Sequence, residues 1–161
     1  MVRMMEINLG RARAVVELLD EEAPTSSALV WNLLPLEGKP FHTIESGREI
    51  FLQLPDPESH IVPENQTIYQ IPGDVFIYHK PIIYIEPEWP DLKRQAAVIG
   101  FCYGRDTQVR GLYRPLPVNI VGRIVEGVEE LENEAIRLRN EGVEKISFTK
   151  RPQFSVLKQK N

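Results

Sequence analysis

The sequence predicts a mainly β protein: a closed β-barrel of short strands carrying two α-helices. Three observations point there. Eleven of the 13 prolines lie between Pro35 and Pro117. Proline cannot donate to a strand ladder or sit inside a helix, so these residues mark connections. Short strand-like runs lie between them, and helical signals occur only near the two ends. Many short strands with turn punctuation indicate a sandwich or barrel rather than βαβ units.

The elements follow in order. Met4 to Asn8 and Ala12 to Leu19 flank Leu9-Gly10-Arg11, and the second run alternates with period two, which predicts a hairpin. Asp20-Glu21-Glu22 precedes Pro24. Acids complement a helix N-terminus and proline is tolerated in the first turn, so helix one is expected over Pro24 to Leu34. Strands are expected at Phe41 to Glu45, Glu49 to Leu54, Ile68 to Ile71, Val75 to His79, Ile82 to Ile85 and Ala96 to Tyr103. Ser46-Gly47 and Pro72-Gly73-Asp74 are turn signals between them. Val118 to Val125 reads as a strand. Helix two runs from Val128 to about Asn140, with Val128, Leu131, Ala135 and Leu138 on one face. Its glutamates lie at the start, Arg137 and Arg139 near the end, and Gly142 supplies the stop. Lys145 to Lys150 alternates as a last strand.

Composition narrows the function classes. The formal charge is 19 − 23 = −4, with 42% hydrophobic residues, which excludes a wholly disordered chain. Residues 1–149 form one domain and 150–161 a basic tail with Lys150, Arg151, Lys158 and Lys160, leaving a body of 15 − 23 = −8. Mild acidity argues against nucleic acid, and four tail charges with Phe154 as the only aromatic do not reverse that. The tail instead suits a solvated arm or a homo-oligomer contact. Arg3, Glu6 and Arg11 interrupt any signal-peptide run, and no stretch is long and apolar enough for a membrane, so a cytoplasmic protein is expected. The lone Cys102 excludes an intrachain disulfide and reads as a small buried apolar residue. His42, His60 and His79 lie 18 and 19 residues apart, unlike metal-ligand spacing, so neither metal nor cofactor is expected.

Val16-Glu17-Leu18-Leu19, then Ala23-Pro24-Thr25, Phe41-His42 and the block Asn119 to Gly127 occur in an order that resembles the cyclophilins. Pro40-Phe41, Ser46-Gly47-Arg48-Glu49-Ile50, Pro63-Glu64-Asn65 and Pro72-Gly73-Asp74-Val75 look closer still to a group of prokaryotic proteins with a minimal cyclophilin-like barrel. The resemblance spans about Ala12 to Phe148 and implies the barrel and a groove. It argues against peptidyl-prolyl isomerase activity. The family's catalytic arginine follows Phe-His, and here Thr43 stands in that place. A hydroxyl cannot replace a guanidinium fork.

Six residues are candidates for ligand binding. His42 would line the groove as a general base or orienting group, or serve as a hydrogen-bonded structural histidine. Glu45 and Ser46 sit at a turn, where the serine either meets a ligand carboxylate or shapes the turn. Tyr103 and Arg105 share a face with Phe101 if their strand stays regular, a pairing that suits an anionic or amide-bearing ligand. Asn119 either bonds a ligand or pins the Pro115–Pro117 loop. Three functions follow: a small-ligand site for an amide or carboxylate, binding or transforming it; a prolyl isomerase or proline-peptide binder; or a non-catalytic interaction and oligomerisation module.

Overall fold

The computed structural model describes residues 2–54, 61–79, 97–111, 114–142 and 145–152. The N-terminal alternation produces β1 (Met4–Leu9) and β2 (Ala12–Leu18), paired antiparallel with Ile7 opposite Ala14. Met5, Ile7 and Leu9 are buried while Met4, Glu6 and Asn8 are partly exposed, the signature of a sheet packed more tightly on one face. Then come α1 (Pro24–Leu33), β3 (Leu36–Gly38), β4 (Phe41–His42), β5 (Glu49–Leu54), β6 (Gln66–Thr67), β7 (Asp74–His79), β8 (Ala97–Cys102), β9 (Val118–Glu126), α2 (Val128–Glu141) and β10 (Ile146–Lys150).

The described strands form one ten-stranded sheet in the order β3-β10-β1-β2-β9-β7-β8-β5-β4, with β6 also on β9. Its two ends, β3 and β4, are joined by Lys39-Pro40 alone. So short a link forces the sheet to curl until its edges approach. At that seam Gly38 packs on Leu52 of β5: a Cβ there would lie 2.6 Å from Leu52 Cδ1, so a larger residue would require that side chain to shift. Among the described residues no ladder joins the edges. Over the described residues the fold is therefore mainly β with two helices, as expected, but a curled half-barrel rather than a hydrogen-bonded closed barrel.

The core has two sides because successive strand residues point to opposite faces. On one side both helices pack: Val30 of α1 and Leu131, Ala135 and Leu138 of α2 join Ile50, Ile77, Ile99, Phe101 and Phe148. On the other, Phe76, Val98, Cys102, Val118 and Ile120 lie under Val109 and Leu116. Strand β8 is buried on both faces, with its thiol on the second side.

Several boundaries differ from expectation. Strand β4 stops at His42, because the chain bends from Ile44 through Arg48. Strand β6 occupies Gln66–Thr67 rather than Ile68 to Ile71, since the Tyr69 amide turns back to Thr67 Oγ1 at 2.9 Å. The three-residue β3 is too short to show a period. The expected strand at Ile82 to Ile85, His60 and most of the basic tail lie outside the described residues. Asp20, Glu21 and Glu22 do not cap α1. Asp20 bonds Arg3, and the Thr25 and Ser26 amides donate instead to the Glu64 carboxylate at 3.0 and 2.7 Å. Among the described residues no helix is long and apolar enough to cross a membrane.

Candidate functional site

Register brings His42 and Tyr103 together. His42 lies opposite Ile50, and Ile50 lies opposite Phe101, which puts Tyr103 on the same side just past the end of β8. The rings meet edge-on with centroids 5.7 Å apart, and Nε2 of His42 is 2.5 Å from the Tyr103 hydroxyl. Nδ1 lies 2.5 Å from the Thr43 carbonyl. A carbonyl only accepts, so Nδ1 carries the proton, Nε2 is the acceptor and the phenol donates. Burial favours this neutral imidazole by lowering the His42 pKa, the Thr43 carbonyl opposes it, and the Arg139 charge assists. Burial raises the Tyr103 pKa, while Arg48 and Arg139 pull it down and Glu132 pushes it up.

Those charges place the pair beside α2. Glu132 of that helix pairs with Arg48 at 3.3 Å, so the bend after β4 is tied to the helix. A half-buried histidine and the phenol bonded to it thus sit near Arg139 and the Arg48–Glu132 ion pair. Such a group can orient a polar ligand and attract an anionic one.

The other candidates go elsewhere. Ser46 is buried; its Oγ accepts the Arg110 amide at 3.0 Å and its carbonyl accepts the Gln108 amide at 2.9 Å. Glu45 and Arg105 are exposed, with no side-chain hydrogen bond or ion pair among the described residues. Arg105 leaves the Phe101–Tyr103 face because β8 ends at Cys102 and the chain turns through Asp106 at φ 60°. Asn119 is buried in a separate network, donating to Ser26 Oγ at 2.8 Å and the Val62 carbonyl at 2.7 Å and accepting the Glu64 amide at 3.4 Å. It pins the 62–64 segment to α1 rather than the Pro115–Pro117 loop.

One group escaped the sequence reading. Glu49 on β5 is 1% exposed, and among the described residues its Oε2 has no partner; the buried Thr43 Oγ1 likewise has none there. Burial pushes its carboxyl up to about 7 against the opposing bond from Ser46. A glutamate in a strand otherwise rich in apolar residues was the available signal. Among the described residues no group of three or more His, Cys, Asp or Glu is placed to hold a metal.

A curled antiparallel sheet flanked by two helices, with a half-buried His–Tyr pair near one edge, defines a small mainly β protein with a candidate polar site. The chain belongs to the DUF3830 family, described as proteins of unknown function, which it matches over residues 5–150. No curated protein matches it. Among solved structures it is similar to McbB in complex with tryptophan, at 18% identity and a TM-score of 0.68, covering 94% of this chain and 46% of that one. The chain thus spans about half the length of McbB. It is also similar to the hypothetical protein AF2241 from Archaeoglobus fulgidus, known from a solution structure, at 19% identity and a TM-score of 0.51, covering 93% and 95%. At such identities the likeness shows the fold alone.

Proposed function

We propose that this chain is a cyclophilin-like domain that binds a small carboxylate- or amide-bearing ligand beside His42 and Tyr103. One observation carries the reading: the 2.5 Å His42–Tyr103 bond lies beside the Arg48–Glu132 ion pair and within reach of the Arg139 charge. In this reading the two arginines take the anion-binding part first assigned to Arg105, and Glu45, Ser46 and Arg105 belong to the flanking loops. Asn119 supports the fold from its own network. McbB, a protein of similar fold, is known with tryptophan bound, which motivates an amino acid as the first probe.

Thermal-shift and NMR titrations with L-tryptophan and tryptamine test this. L-tryptophan raises the melting temperature and shifts the His42 ring signals, whereas tryptamine, lacking the carboxylate, does neither. Tyr103→Phe keeps the packing, removes the donor and weakens binding about tenfold, the equivalent of one net hydrogen bond of ~1.4 kcal/mol. Tyr103 ring-signal shifts that survive both His42→Ala and Arg139→Ala sink the reading, as does no response of the His42 and Tyr103 signals to L-tryptophan and a panel of small carboxylates and amides.

A further inference from the structure

On the loop side of the sheet, where β6, β7 and β9 meet, lies an open groove of about 220 Å³ between Asn65, Thr67, Tyr69, Ile71 and Arg123. Its floor is a half-used guanidinium. Arg123 of β9 stands opposite Asp74 of β7 in the ladder, and its Nη1 donates to Asp74 Oδ1. The Asp74 side chain is 4% exposed, and its Oδ2 accepts the Ile71 amide at 2.8 Å, so it is a fixed anchor rather than a mobile partner. The arginine side chain is 40% exposed. A guanidinium has five N–H donors in a rigid fork, and among the described residues only Asp74 engages this one. A second carboxylate can therefore meet it, with the buried one behind holding its plane.

The walls supply the other half of a recognition site. Tyr69 is 74% exposed and Ile71 54% exposed, two large apolar side chains on the rim of one groove. Their backbone is held rigidly from beneath. Gln70 is buried, donates to the Thr67 carbonyl at 3.1 Å and accepts the Val109 amide at 2.9 Å. Asn65, at φ 44°, donates from its side chain to the Ile120 carbonyl at 2.9 Å. Loop residues pinned in this way present a preformed surface, which lowers the ordering cost of binding. The volume falls below that of drug-sized pockets and suits one ring or branched chain with its acid group.

From this we infer that the β6–β7–β9 groove is a second ligand site, taking a small carboxylic acid with a flat or branched apolar body. The acid group bonds the outward edge of the Arg123 fork, and the apolar body lies between Tyr69 and Ile71. The site shares no residue with the His42–Tyr103 pair and does not rest on that reading.

A titration of the full chain with benzoate, followed by NMR, tests it, with benzamide as the isosteric uncharged control. Saturable shifts are expected at the Tyr69 and Ile71 amides and the Arg123 Nε–H, and they persist in His42→Ala, which separates this site from the first. Tyr69→Ala alters an exposed side chain and leaves the fold intact; it weakens benzoate about tenfold. Arg123→Lys keeps a cation on Asp74 but loses the fork, and weakens it similarly. Benzamide binding as tightly as benzoate overturns the carboxylate assignment. No saturable shift in the groove, or shifts unchanged in both groove variants, overturns the site.

Discussion

At the scale of single residues, Glu49 is the group whose protonation the fold most changes. Its carboxyl rises from an ordinary 4.5 to about 7 because burial penalises the charge more than the Ser46 bond relieves it. A carboxyl with a raised folded pKa binds more protons folded than unfolded between these values. Its contribution is fully present below pH ~4.5. It declines as pH rises to about 7 and is constant above. The shift corresponds to at most about 3 kcal/mol. Urea unfolding of wild type and Glu49→Gln at pH 5 and pH 8 measures it: wild type loses stability over that interval relative to the variant. Equal slopes would show that the carboxyl titrates normally. His42 and Tyr103 were legible as candidates because each residue type brings its chemistry with it. Their contact was not, since it depends on the β4–β5–β8 register. Arg105 was misplaced for the complementary reason: alternation predicts a face only while the strand lasts.

At the scale of elements, α2 was legible almost to the residue. Its apolar spacing, the Glu129 and Glu130 charges in its first turn, Arg139 in its last turn and Gly142 at φ 80° are local features. Helix α1 was legible as a helix, but its cap was not. Glu64 lies 38 residues beyond Ser26 in the chain, and no local pattern reveals so distant a partner. Burial raises the Glu64 carboxyl, but the Ser26 and Thr25 amides outweigh it and hold it below its usual value. Its contribution is present above the unfolded pKa and lost as pH falls. Glu64→Gln should reduce stability at pH 7 by about 1 kcal/mol, the scale of an N-terminal cap with its dipole interaction. Chemical denaturation at pH 7 checks this, and the difference should shrink towards pH 3. A variant as stable as wild type at pH 7 would assign the α1 anchor to Asn119 and Ser26 alone.

At the scale of the whole molecule, the sheet depends on close approaches that only glycine permits. Gly100 sits mid-strand in β8, between β5 and β7. A Cβ there would lie 2.6 Å from the Phe76 ring, 2.7 Å from the Ile50 carbonyl and 2.9 Å from Phe51 Cβ. The carbonyl belongs to the ladder and cannot move aside cheaply. Gly100→Ala should therefore cost about 1–3 kcal/mol by overpacking, seen as a lower melting temperature with loss of near-ultraviolet aromatic dichroism. An unchanged melting temperature would mean that β5 and β7 separate easily, and that the curled sheet is looser than its packing implies.

The amino-acid sequence by itself determined the class of fold and the type of most elements. Alternation, helical spacing and the proline and glycine punctuation act over a few residues, and local sterics read them directly. Only the tertiary structure decided that the curled sheet is not closed by a hydrogen-bonded ladder, that His42 meets Tyr103, that Glu64 caps α1, and that Arg123 is held half-used by Asp74. Each of these joins residues far apart in the chain. Such pairings are selected by register and burial across the whole sheet, and no short stretch of sequence carries that information.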